Sequence, residues 1–453
     1  MTGGELLAGA ARAALERGGL SAAAAEAKSP LFVRAAEALV QRGMASESVV
    51  YAFFVPGRIE VLGKHTDYAG GRSIVTAVER GFCMVAAARE DTRVTVTAVE
   101  QDECIDCELA ADLVVPESGW ANYPMTVMRR LARNFGDLRG VDIAFLSDLP
   151  AAAGMSSSSA FMVATYLVLA ARNGLHEREI YRRNIREDLA LAAYLGTVEN
   201  GQSFGELAGD RGVGTFGGSE DHTAILCSQP GQLGQFAYCP ARLERRIDLP
   251  EDYVFAVGFC GVVAEKTGAA QDLYNRAALQ VGAIVEAWRT ATGGSEVYLA
   301  DVLASGPEAA AQLEAILADV SGATYSAAEL TQRLRHFLVE DGKIIDAAAG
   351  ALASAHVEVF AEQIRRSQRM GVEVLGNQIA ETEDMARLAC EEGALAASAF
   401  GAGFGGGVWA LVHSERAETF LQAWETAYRS AHSQRAEKAL YFFSRPGPAA
   451  FAL

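Results

Sequence analysis

Apolar and polar positions along this chain change period several times, and each change marks an expected element. Residues 5–17 and 31–42 carry Leu and Ala at helical spacing, with Gly-Gly and Ser-Pro punctuation between them, and predict helices that serve as packing elements. A β-rich run at 49–55 ends at Pro56, and alternation across 72–118, clearest at Val94-Thr95-Val96-Thr97, predicts antiparallel strands. A helix is expected from 120–123 to about 135, a strand over 141–146, a helical region over 177–195 and a strand over 253–260. Helical patterns also cover 264–276, 277–290, 308–320, 327–339, 343–367 and 381–392, before an apolar strand at 408–412. The pattern by itself supports mixed strands and helices, with the glycine-rich stretches at strand–helix and strand–strand junctions.

Composition narrows the class. At 453 residues, half of them hydrophobic, the chain suits two domains with a substantial core. A compositional break at 229–240 marks the expected boundary. The balance of 39 basic against 57 acidic side chains, net −18, argues against nucleic acid or an anionic membrane as partner. An anionic substrate would have to find its positive charge locally. The longest uncharged apolar run, 160–171, is too short to span a bilayer, and no Arg-rich apolar leader is present. A cytoplasmic protein is expected, and seven cysteines, an odd number, suit a reducing compartment. The lone Cys104-x-x-Cys107 has neither a second pair nor a nearby histidine to make a metal site.

Three stretches carry chemistry. Residues 148–161 place Gly154 and the hydroxyls of Ser156, Ser157, Ser158 and Ser159 immediately before an apolar helix. A first helical turn has unpaired N–H donors and the positive end of the macrodipole, so the stretch reads either as a phosphate cradle or as an ordinary serine-capped helix. Residues 56–74 set Arg58, Glu60, Lys64, His65 and Asp67 between glycines, which presents polar side chains from a turn between two strands. This is not a Walker A loop, because five residues separate Gly57 from Gly63 and His65 follows Lys64. Residues 398–407 contain a formal G-x-G-x-x-G, but an apolar strand follows where a dinucleotide fold needs a helix. A glycine-rich turn closing over phosphates fits better.

Together these stretches resemble the galactokinase family of the GHMP small-molecule kinases. Residues 56–71 are similar to the family's Pro-Gly-Arg-x-Asn-x-x-Gly-Glu-His-Thr-Asp-Tyr-x-x-Gly, with Glu60 in place of Asn and Lys64 in place of Glu. Residues 150–161 are similar to Pro-x-x-x-Gly-Leu-Ser-Ser-Ser-Ala, with Met155 in place of Leu, and 401–406 match Gly-Ala-Gly-Phe-Gly-Gly. Gly-Ser-Glu-Asp-His at 218–222 stands where the family usually reads Gly-x-Met-Asp-Gln, and looks closer to plant-type galacturonate kinases.

The resemblance implies a two-lobed α+β GHMP kinase fold with ATP and sugar in the cleft between lobes: an N-terminal helical extension at 1–30 and kinase domains at 31–235 and 236–453. It implies ATP and Mg²⁺ as cofactors, a monomer or weak homodimer, and phosphorylation of the anomeric C1 hydroxyl of galactose or a galactose-like sugar. Asp221 is then the catalytic base and Arg58 keeps it ionised. Gly154, Met155, Ser156, Ser157, Ser158 and Trp120 bind ATP. Ser157 or Ser158 with Glu199 binds Mg²⁺, Glu206 and Glu220 being rivals of Glu199 because an insertion near 203–211 separates it from Asp221. Lys64, His65, Asp67, Gly218 and Tyr274 face the sugar. Lys64 replaces an acceptor by a cation, which suits either a carboxylate-bearing sugar such as galacturonate or a structural pair with Glu60. The alternative function is a regulatory protein of the same fold that binds ATP and sugar without turnover.

Overall fold

The computed structural model describes residues 1–150, 153–264, 271–320 and 324–453. Two sheets organise it. The larger is built from β1 (Val50–Leu62), β2 (Arg72–Ala88), β3 (Arg93–Ala98), β4 (Glu103–Glu108), β5 (Val141–Ser147), β6 (Gln232–Ala237) and β7 (Arg242–Asp248). The smaller is an antiparallel sheet of β8 (Tyr253–Phe259), β9 (Ala396–Ala399), β10 (Gly407–His413) and β11 (Leu440–Ser444), in the order β11-β8-β10-β9. The chain then returns to the first sheet, where β12 (Phe451–Ala452) pairs with β1. The domain boundary expected at 235/236 falls inside β6, and the β6–β7 hairpin extends the first sheet to Asp248.

Three helices, α1 (Gly3–Leu7), α2 (Ala11–Arg17) and α3 (Ala22–Gln41), cover the outer face of the first sheet. Phe32 and Leu39 of α3 pack with Phe54, Cys83 and Val85 in one buried cluster. α3 runs straight through Ser29-Pro30, which the sequence reads as punctuation. The inner face packs on α4 (Asn122–Phe135) and α5 (Ser157–Asn173), and a single buried cluster continues from Val55 and Ile59 through Met162 to Phe255, Trp409 and Leu411 of the second sheet. That shared core fixes the two halves against each other and opens a cleft above it. The helical region expected over 177–195 is two helices, α6 (Glu179–Asn184) and α7 (Asp188–Asn200); α8 (Glu220–Cys227) and α9 (Gln271–Thr292) follow. Part of the helix expected over 264–276 lies outside the described residues. Among the described residues no helix is long and apolar enough to cross a membrane.

Candidate active site

Strand β1 does not stop at Pro56. It continues to Leu62, and its pairing with β2 shifts register between Pro56 and Arg58 and again between Glu60 and Leu62. Such bulges bend a strand and re-aim its side chains, so Arg58 and Glu60 enter the cleft from a strand rather than from a turn. The Arg58 guanidinium, 2 % exposed, places Nε 2.9 Å and Nη2 2.7 Å from Asp221 Oδ1, and Nη1 donates to Gly154 O at 2.5 Å. One side chain thus ties the 56–71 stretch, the phosphate loop and α8 together. Burial works against its charge, but Asp221, Glu60 and Glu220 outweigh that and hold it cationic well above its ordinary range.

Glu199 ends α7 and Asp221 begins α8. The intervening segment folds back, with Val213 N donating to Glu199 O and Asn200 Nδ2 to Gly217 O, each at 2.8 Å. The two carboxylates meet on Ser159, which is fully buried: its Oγ lies 2.8 Å from Glu199 Oε2 and 3.2 Å from Asp221 Oδ2. Ser157 and Ser158 are the serines expected to join Glu199 around Mg²⁺. Those two serines line the neighbouring, larger cavity, and the hydroxyl that reaches Glu199 is the next one along, where α5 has turned inward. Of the rival acids, Glu206 pairs with exposed Arg183 at 3.1 Å, away from the cleft, whereas Glu220 lines it.

The start of α5 separates the two readings of the serine run. Ser156 adopts a left-handed backbone (φ +58°), and among the described residues no side chain caps the helix and the buried Ser156 Oγ has no hydrogen-bond partner. Helix-terminal donors left without a side-chain cap, beside a free hydroxyl, make a site for an anion. Gly154 has φ +78°, and a Cβ there would stand 2.9 Å from Phe400 O, so this turn requires glycine. The cavity in front measures about 600 Å³ and is walled by Trp120, Phe82, Phe145 and Phe161 on one side and Gly154, Ser156, Ser157 and Ser158 on the other. An aromatic slot leading to an anion cradle has the shape and chemistry for a nucleotide. Met155 is buried behind the loop, and its carbonyl accepts from Arg58 N. The third glycine stretch lies against the loop's backbone: a Cβ on Gly401 would meet Gly154 O at 2.8 Å, and one on Gly407 would meet Ala153 O at 2.8 Å. It buttresses the cradle.

A smaller polar pocket adjoins this cavity and shares Arg58 and Ala402 with it. Asp67 Oδ2 accepts from Glu220 N at 3.2 Å and packs on Gly218, where a Cβ would come within 2.4 Å. His65 Nε2 lies 3.1 Å from Ala402 O, so that nitrogen carries the proton, and Nδ1 is 3.0 Å from the Tyr68 hydroxyl. The Tyr274 ring stands 5.4 Å from the His65 ring. His65, Asp67, Gly218 and Tyr274 are therefore brought together with Asp221.

Lys64 is not among the residues lining the pocket. Its ammonium, on a residue 1 % exposed, donates to Ser398 Oγ at 2.8 Å and Ser367 Oγ at 3.1 Å, and Ser367 in turn donates to Glu340 Oε1 at 2.8 Å. Gly63 N reaches the same Glu340 oxygen at 3.0 Å. A buried ammonium needs acceptors and a counter-charge, and Ser367, Ser398 and Glu340, distant in sequence, supply them. Neither expectation for Lys64 holds: it faces neither the sugar pocket nor, within ion-pair distance among the described residues, Glu60. The Ser367–Ser398–Glu340 set is missed by the sequence, and Ser159, named with its neighbours in the serine run, is not singled out from them. Ser159 carried a signal, since the family pattern has Ala there; nothing local marked Glu340.

Three family models match in chain order: the galactokinase galactose-binding signature over 44–89, the GHMP kinases N terminal domain over 122–201 and the GHMP kinases C terminal domain over 348–430. Fold and domain content define a GHMP small-molecule kinase. The galactokinase of Halalkalibacterium halodurans is 27% identical over 383 residues, covering 82% of this chain and 85% of the relative; that of Exiguobacterium sibiricum is 26% identical over 393, covering 85% and 90%. The crystal structure of Lactococcus lactis galactokinase complexed with galactose shares the fold, with a TM-score of 0.74 at 21% identity over 92% of this chain and 99% of that one. Within the superfamily the chain is similar to the galactokinases, and it is a sugar kinase, a phosphotransferase.

Proposed function

We propose that the chain transfers the γ-phosphoryl group of ATP to the anomeric C1 hydroxyl of galactose or a neutral galactose-like sugar. The observation that carries this reading is the position of Arg58: it lines both the nucleotide-sized cavity and the polar pocket, and holds Asp221 on the pocket side. Phosphoryl transfer asks for positioning and charge neutralisation more than covalent help. ATP lies in the larger cavity with its base toward Trp120 and its phosphates on the first turn of α5. The sugar lies against His65, Asp67, Gly218 and Tyr274. Its attacking hydroxyl gives its proton to Asp221, while Arg58 stabilises charge at the transferring group.

Mg²⁺ fits the residues present. Among the described residues no cluster of three or more His, Cys, Asp or Glu side chains could hold a metal by itself, and Mg²⁺ in nucleotide sites commonly takes one or two carboxylates with phosphate oxygens and water. Glu199, with a serine hydroxyl of the cradle, would hold it, and the ion would neutralise phosphate charge. Relatives named galactokinases support galactose as the acceptor. The pocket wall supports a neutral sugar over a uronate: Glu60, Asp67, Glu199, Glu220 and Asp221 face it with Arg58, and Lys64 is engaged elsewhere.

ADP release with Mg-ATP against galactose, galacturonate, glucuronate, arabinose and glucose tests the reading. Galactose is expected to be the best acceptor. Preference for galacturonate would overturn the neutral-sugar assignment. Binding of ATP and sugar without turnover of any acceptor would favour the regulatory alternative.

A further inference from the structure

Two residues that depart from the family pattern line the same pocket. Glu60 stands where that pattern has Asn and Glu220 where it has Met, and the two face the sugar pocket together, Glu60 raising the affinity of Glu220 for a proton. Both are buried, at 4 % and 5 % exposure. The charges around them do not balance if all are ionised. Asp221 takes Arg58 at 2.7 and 2.9 Å, Glu220 Oε1 stands 3.9 Å from Arg58 Nε, and Glu60 adds a third carboxylate to that one guanidinium. The other groups acting on the pair are Asp67 and the buried Tyr238 phenol toward Glu220, and Lys64 and the buried Tyr68 phenol toward Glu60. Lys64 already serves Ser367 and Ser398. Two neighbouring carboxylates away from water cannot both ionise cheaply. Glu60 Oε1, buried without a hydrogen-bond partner among the described residues, is tolerable on a neutral carboxyl and costly on a carboxylate.

We propose that Glu60 and Glu220 hold one proton between them, and that this carboxyl–carboxylate pair is a positioning unit that keeps Arg58 for Asp221. With the proton in place, Glu220 is turned to Glu60 and the guanidinium is left to Asp221 and Gly154 O. With the proton lost, a second full carboxylate competes with Asp221 for Arg58. Burial first, and then the neighbouring carboxylates, push Glu220 well above the usual carboxylate range, in the direction this arrangement requires.

The proposal rests on the sugar-kinase reading only for what Arg58 and Asp221 do, so its test has an arm that needs no substrate. Infrared spectra of the ligand-free protein in D₂O near neutral pH are compared for the wild type, Glu60→Gln and Glu220→Gln. A protonated-carboxyl C=O band is expected in the wild type, absent from both variants, and titrating away as the wild type is taken to alkaline pH. A wild type without such a band, or a band that survives in both variants, overturns proton sharing. Because the wild-type titration stands alone, a variant that fails to fold does not remove the test. The second arm is the pH profile of turnover with the best acceptor: the alkaline loss in the wild type is expected to disappear in Glu220→Gln. Superimposable profiles, with the infrared result upheld, would leave the shared proton standing and overturn its role in positioning Arg58. Absence of turnover in the wild type would instead count against the sugar-kinase reading.

Discussion

Arg58 and Asp221 are 163 residues apart in the chain and 2.7 Å apart in space, an ion pair almost closed to solvent that stands where the nucleotide cavity and the sugar pocket meet. In the proposed reaction, removing the carboxylate leaves the attacking hydroxyl without an acceptor, and it leaves the buried guanidinium without its closest carboxylate. Asp221→Ala is expected to lower turnover by ~10²-fold or more. Steady-state kinetics with the best acceptor check this, and near-normal turnover would take Asp221 out of the mechanism.

Ser159 offers one hydroxyl to two carboxylates, 2.8 Å from Glu199 and 3.2 Å from Asp221. Hydrogen bonds to charged groups contribute about 1.5–3 kcal/mol, and their loss in a buried place is felt in full. Ser159→Ala restores the residue of the family pattern but leaves both acids without that donor. It is expected to destabilise the fold by about 1–3 kcal/mol and to reduce turnover less than Asp221→Ala does. Urea unfolding followed beside kinetics separates the two effects; a variant as stable as the wild type would show that the bridge contributes nothing.

Which parts of this arrangement were legible in advance follows from how local their physics is. The glycine stretches at 154 and 401–407 were readable because a left-handed or closely packed backbone leaves its mark in the residue itself. Trp120, His65, Asp67, Tyr274 and Asp221 were carried by the resemblance to the galactokinases, and they line the two cavities. The course of β1 past Pro56 was not readable, because the bulges that accommodate Pro56 depend on the register with β2. Lys64 misled for a related reason: an isolated cation between glycines looks like a ligand group until Glu340, Ser367 and Ser398 arrive from nearly 300 residues or more away.

Lys64 is accordingly a residue of stability. Lys64→Met leaves Glu340 buried with Gly63 N and Ser367 but without the cation beyond them, and loss of one member of a buried charged network costs about 3–5 kcal/mol. A marked fall in thermal midpoint is expected, with the ratio of galactose to galacturonate turnover unchanged in the folded fraction. A shift of that ratio toward or away from the uronate would return Lys64 to the substrate site.

A substitution at Gly154 can tell nucleotide binding from sugar binding. Its φ of +78° disfavours any side chain by about 1–2 kcal/mol, and the added Cβ of Gly154→Ala would press on Phe400 O at 2.9 Å. The loop must shift, taking with it the carbonyl that receives Arg58. The KM for ATP is expected to rise several-fold more than the KM for the sugar, and equal rises would argue that this loop does not hold the phosphates.

The Glu60–Glu220 pair also sets the sign of a stability effect. Glu220 in the folded chain binds its proton well above the usual carboxylate range, chiefly through burial and then through Glu60 and Asp67, with Arg58 opposing. In the unfolded chain it titrates near ~4.3. Between those two values the folded state holds a proton that the unfolded state has lost, so this contribution is present in full below ~4.3 and declines as pH rises toward the folded value, by about 1.4 kcal/mol per pH unit for one proton. Glu220→Gln keeps a neutral side chain at every pH and removes the linkage. Its thermal midpoint relative to the wild type is expected to climb steadily from mildly acidic to mildly alkaline pH. A constant difference across that window would mean that Glu220 is ionised in the folded protein, and the single proton in the pocket floor would have to be given up.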